Sequence, residues 1–104
     1  KRSTMKNCNV SHSKGSGLWV HGSGLMTISG IGTTIHHNCT HEWIGSYGLH
    51  TDSVTSIHLA SSLTIETISK NNGGGRNYGG EGTIDIVDNE GTIIETIQEA
   101  SDDY

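Results

Sequence analysis

The sequence predicts an all-β fold, and three observations carry that expectation. Its 15 Gly and many Ser, Thr and Asn residues, with 12 Ile, favour strands and turns over helices. No window sets apolar residues at i, i+3, i+4 and i+7 between a helix cap and a stop. Apolar residues instead alternate in short runs, and Gly, Ser and Asn clusters separate most of the runs. The 5 Leu, 12 Ile and 4 Val, without Phe, make up about a fifth of the 104 residues, a level at which disorder competes with folding. The alternating placement of Ile, and a net charge of only −5 without charge blocks, favour an ordered chain with a narrow core.

Taken in order, the runs fall into three groups of three. The first group is GLWV (17–20), LMTIS (25–29) and TTIHHN (33–38); the second is YGLHT (47–51), SIHLAS (56–61) and LTIETIS (63–69). The third is YGGEG (78–82), poorly apolar, then TIDIV (83–87) and TIIETI (92–97). Self-alignment gives a drifting period near 30. Gly17-Leu18 matches Gly48-Leu49, Asn7-Cys8 matches Asn38-Cys39, and Tyr47-Gly48 matches Tyr78-Gly79, each 31 residues on. The phrase ending at Ile35 recurs at Ile65, 30 residues on, and Ile65–Ile68 recurs 29 residues later at Ile94–Ile97. A repeat of that length with three strands per period suits a coil in which each strand pairs in parallel with its counterpart one turn later, about 4.8 Å away. On this reading Ile35, Ile65 and Ile94 form one inward column, and His36, Glu66 and Glu95 a column facing the other way.

The stretch NVSHSKGSGLWVHGSGLMTISG with the GTTIHHN that follows resembles, in repeat rhythm, the right-handed parallel β-helix proteins of the pectate-lyase-like group. The resemblance spans most of residues 7–97 and implies a short right-handed parallel β-helix of about three turns. A small antiparallel β-sandwich is the alternative, for which VDNEGTII (87–94) supplies a hairpin with Glu-Gly at its tip. The expected organisation is one β-helix domain over 1–104, or a fragment of a longer β-helix, with a flexible Gly-rich loop at 71–82 and an acidic tail at 99–104. The end turns carry only weak caps, the basic start and the acidic tail, so either end-to-end self-association or missing flanking turns is expected. The chain starts KRSTMKNCNV, which suits a processed product or a piece of something longer.

Charge and composition exclude several function classes. Six basic residues against eleven acidic ones do not make the positive stripe that nucleic acid needs. No apolar run approaches the roughly 18 residues of a membrane span, so no membrane insertion is expected. Cys8 and Cys39 are either one disulfide or two thiols, and each lies beside a glycosylation triplet, at Asn9 and Asn38. That context tilts the reading towards an extracellular or surface protein.

Four features carry candidate chemistry. In HHNCTHE (36–42), His37, Cys39 and His41 share one strand face and are the candidate ligands for zinc or copper, against the ordinary reading of a small buried thiol and carbonyl-bonded histidines. The Glu66 and Glu95 column offers a candidate carboxylate pair of the kind glycosidases use, against a solvated ladder. Gly79-Gly80-Glu81-Gly82 approaches a calcium-binding repeat, with Asp85 one place too late and no second copy. For enzymes of the pectate-lyase-like group, the resemblance implies calcium-holding carboxylates and a proton-abstracting base, or clustered Asp with His and Arg-x-Lys. Val20-His21-Gly22 resembles a fragment of the hydrolases' Gly-His-Gly, but this chain has no Arg-x-Lys, and its only arginines are Arg2 and Arg76.

Trp43, Tyr47 and Tyr78, with Arg76, remain as platforms and a polar partner for a glycan. The leading expectation is therefore a non-catalytic β-helix scaffold or glycan-binding module with no required cofactor. A polysaccharide lyase or glycoside hydrolase, and a purely structural repeat, stand as the alternatives.

Overall fold

The computed structural model describes residues 2–22, 24–40, 46–73 and 76–100. Eleven strands and one helical turn are found there: β1 (Arg2–Lys6), β2 (Asn9–Ser11), β3 (Leu18–Val20), β4 (Leu25–Ser29), β5 (Thr34–His36), β6 (Tyr47–Thr51), β7 (Ser56–Ala60), α1 (Ile65–Ile68), β8 (Ser69–Lys70), β9 (Arg76–Gly80), β10 (Thr83–Val87) and β11 (Ile93–Gln98). They form three sheets, in the orders β1-β4-β7-β10-β11, β2-β5-β8 and β3-β6-β9. Every third strand returns to the same sheet, and all pairings are parallel except β10 with β11. This is a short parallel β-helix of about three turns, and β4, β5, β6 and β7 each find hydrogen-bond partners in the turns before and after.

The core is a set of inward columns. In the largest sheet, Met26, Ile57 and Ile84 stack in register, as do Met5, Ile28, Leu59 and Ile86. Val10 stacks on Ile35 in the second sheet, and Leu18 on Leu49 and Tyr78 in the third. Ile28, Ile35, Leu49, Ile57, Leu59 and Ile84 are fully buried. A core of two columns in the largest sheet and one in each of the others explains how so few aliphatic residues suffice.

The corner between the second and third sheets is built from stacked backbone rather than apolar contact. His12, His37 and Asn71 all adopt left-handed backbone, with φ of 63°, 55° and 57°. His12 N–H donates to the His37 carbonyl (3.1 Å), and His37 N–H donates to the Asn71 carbonyl (3.2 Å). One position further on, the amides run inside the coil: Asn38 Oδ1 accepts from Ser13 N–H (3.0 Å) and Asn72 Oδ1 from Asn38 N–H (2.9 Å). Asn38 Nδ2 donates to the Val10 carbonyl and Asn72 Nδ2 to the Ile35 carbonyl. These two side chains satisfy buried groups that the bend removes from the sheets.

Several expectations are corrected. The repeated phrase at 65–68 and 94–97 is not stacked. Ile65 and Ile68, three positions apart, bury together on one face of α1, an arrangement that an alternating strand would break by turning Thr67 inward. The second copy lies in β11, which turns back antiparallel on β10 with two register irregularities. Ile35 therefore pairs with Ser69, and His36 with Lys70.

The hairpin expected only for the sandwich is present within the β-helix: Asp88 Oδ1 accepts from Glu90 and Thr92 N–H, both at 2.9 Å, and Gly91 takes φ of 83°. Residues 76–80, inside the expected Gly-rich loop, form β9. The basic start is no cap but the first rung, β1. Among the described residues no helix is long and apolar enough to cross a membrane.

Candidate functional site

The third sheet carries a row of aromatic side chains on its outer side. Register sets Trp19 beside His50, and their rings stack with centroids 4.6 Å apart and planes 1° from parallel. Tyr47 meets His50 edge-on at 5.1 Å, and His21 meets Trp19 edge-on at 5.8 Å. Trp19 remains 54% exposed, so a flat indole face is open to solvent. Its Nε1–H donates to Asp52 Oδ1 at 3.1 Å.

The stack is held from behind. Ser16 Oγ accepts from Tyr47 N–H at 3.1 Å and lies 3.0 Å from His50 Nδ1. The Ser16 hydroxyl thus bridges the Tyr47 backbone and the imidazole. Burial pushes the His50 pKa below its ordinary value, and the nearby Asp52 carboxylate opposes that shift. The face is therefore neutral over the imidazole at physiological pH.

Beside this row, Tyr47, Asn77, Tyr78, Gly79, Gly80 and Gln98 line an open cleft of about 360 Å³. A side chain at Gly79 would collide with the Tyr47 ring, so the bare backbone there is the cleft floor. Gln98 Nε2 donates to Thr51 Oγ1 and to the Gly82 carbonyl, both at 2.9 Å, fixing the wall that β11 provides.

The sequence-predicted site residues separate as follows. Tyr47 and Tyr78 share the cleft, but not as a stacked pair: Tyr47 pairs with Arg76, and Tyr78 with Leu49. Trp43 and His41 lie outside the described residues, and Arg76 is placed by its backbone. Glu66 stands on α1 and Glu95 on β11, which do not pair, so the expected carboxylate column does not exist.

Cys39 is buried and Cys8 exposed, and both are free thiols. Burial raises the Cys39 pKa. His37 Nδ1 lies 2.7 Å from His36 Nδ1, while His36 Nε2 faces Asn9 Oδ1 at 3.1 Å. The His37 ring is thus engaged with its neighbour and with His12, stacked at 5.8 Å. Among the described residues no group of three His, Cys, Asp or Glu side chains is placed to hold a metal ion.

The Trp19–His50 stack is the feature that reading the residues missed, and its signal was present. The match of Gly17-Leu18 with Gly48-Leu49 is the true register, and it sets Trp19 over His50 one residue later. No family model, curated protein or solved structure matches the chain.

Proposed function

We propose that the chain is a non-catalytic scaffold, a right-handed β-helix of the pectate-lyase-like kind on a surface or secreted protein, whose third sheet binds a glycan. The single observation that carries this reading is the continuity of the aromatic face: the open indole of Trp19, its His50 partner and Tyr47 lead directly into the cleft shared by Tyr47 and Tyr78. Exposed aromatic surface beside a concave polar cleft is the usual composition of a ligand site. Flat rings accept the apolar faces of sugar rings, while Asn77, Gln98 and the bare backbone of Gly79 and Gly80 offer donors and acceptors for hydroxyl groups. Right-handedness follows the general rule for parallel crossovers.

The test is retention on a panel of insoluble polysaccharides, with unsaturated-product absorbance and reducing-end release as controls for turnover. Trp19→Ala and Tyr47→Ala should each weaken retention about tenfold, the loss of one well-placed aromatic contact, without product formation in any sample. Retention unchanged in both variants overturns the reading, and product formation replaces it with an enzymatic one.

A further inference from the structure

We infer that Gln98 of β11 sets which sugars the cleft takes, favouring neutral glycans over polymers of uronic acids. This rests on the glycan reading above and adds a class of ligand to it. The orientation of two amide groups carries the inference. Gln98 Nε2 donates to Thr51 Oγ1 and to the Gly82 carbonyl, both at 2.9 Å. A carbonyl only accepts, so the nitrogen end of the amide is fixed on that side. Both of its protons are used there, and Oε1 is left as an acceptor with no partner among the described residues.

Asn77 is fixed the other way round. Its Oδ1 accepts from Asn72 N–H at 3.0 Å and from Asn72 Nδ2 at 3.2 Å. A backbone N–H only donates, so the oxygen end is held there, and Nδ2 is left as a donor with no partner among the described residues. Every buried side-chain nitrogen and oxygen among those residues has a partner, so both free ends are open to solvent, and Gln98 and Asn77 both line the cleft.

The cleft thus offers a fixed acceptor and a fixed donor. Sugar hydroxyls match both, because each gives and takes a hydrogen bond. A carboxylate only accepts: Asn77 Nδ2 suits it, but Gln98 Oε1 then faces a negative group without a proton between them. The described residues that line the cleft carry no charge to offset this. A site that sets an acceptor for a hydroxyl disfavours a ligand that leaves it unmatched.

Binding to beads that carry hexasaccharides of glucose, mannose or galactose, and the same oligosaccharides oxidised at C6 to uronic acids, tests this. Salt at about 0.5 M screens the repulsion between polyanions and a chain of net charge −5, leaving the local preference. The wild type should bind the best neutral form about five- to tenfold more tightly than its oxidised form, the effect of one hydrogen bond. Gln98→Lys keeps a donor for Thr51 Oγ1 and the Gly82 carbonyl but removes the acceptor. It should lose most of that preference, with its fold checked by circular dichroism, whereas a purely structural Gln98 predicts no change. Oxidised forms bound by the wild type as tightly as neutral ones overturn the inference while leaving the glycan reading standing, and so does a folded Gln98→Lys chain that keeps the full preference. Binding to none of the beads overturns both.

Discussion

The indole of Trp19 and the imidazole of His50 lie face to face, 1° from parallel, although 31 positions separate them in the chain. The register of β3 on β6 imposes this contact, so the stack reports on the coil itself and on the protonation of one of its rings. Burial lowers the His50 pKa, so the unfolded chain binds a proton before the folded one does. The stability this group contributes is complete above the ordinary histidine value of about 6.5 and is lost as pH falls through the lowered folded value. Denaturant melts of the wild type and of His50→Gln, compared at pH 7.5 and 5, should show the smaller acid loss in the variant. Equal losses would remove His50 as a contributor.

Asn38 carries much of this corner, because Ser13 N–H and the Val10 carbonyl depend on its side chain and Asn72 Oδ1 accepts from it. Asn38→Ala orphans Ser13 N–H and the Val10 carbonyl inside the coil, while Asn72 Oδ1 keeps the Asn38 N–H, and should cost roughly 2–4 kcal/mol. Equilibrium urea denaturation measures this directly; a loss below about 1 kcal/mol would mean that water replaces the amide.

Gly48 sits where the same corner enters β6. A Cβ there would lie 2.6 Å from Ser69 Oγ and 2.7 Å from the Asn77 carbonyl, and would also strike Asn72 Nδ2. Gly48→Ala should therefore destabilise by roughly 1–3 kcal/mol, whereas Gly15→Ala, with nothing within 4 Å of its added methyl, should be nearly neutral. Thermal midpoints of the two variants check the contrast.

The two thiols should react on different timescales. Cys8 is exposed, while Cys39 is buried with a raised pKa, and only thiolates react. A coloured disulfide reagent should titrate one thiol quickly in the native protein and two after denaturation. Two fast equivalents in native buffer would place Cys39 at the surface.

Strand existence was legible in the sequence because period-2 alternation survives locally: LMTIS, YGLHT and TIDIV coincide with β4, β6 and β10. Stacking partners were much less legible. In the largest sheet the step from one turn to the next is 23 residues from Arg2 to Leu25, 31 from Leu25 to Ser56 and 27 from Ser56 to Thr83. A single period near 30 therefore finds Leu18 on Leu49 but misses Leu25 on Arg2, which is 23 positions away.

Identical words also fold differently. Ile65–Ile68 is held as a helical turn because Ile65 and Ile68 both reach the core, whereas Ile94 in β11 is exposed. Tertiary context, not propensity, decides between them. Of the site, Tyr47 and Tyr78 were found by residue type. His50 is not legible in that way, because its place over Trp19 and against Ser16 comes from register, which composition does not record.

The unequal corners have a consequence for how such a chain changes over generations. Between the first and second sheets the chain crosses in residues 7–8, then 30–33, then 61–68 including α1, yet the strands on either side keep their partners. Insertions and deletions at this corner leave the ladders undisturbed, while one inside a strand would turn every following side chain to the opposite face. Length variation is thereby channelled to the corners of the coil, where added residues extend the core, as Ile65 and Ile68 do, or present new surface.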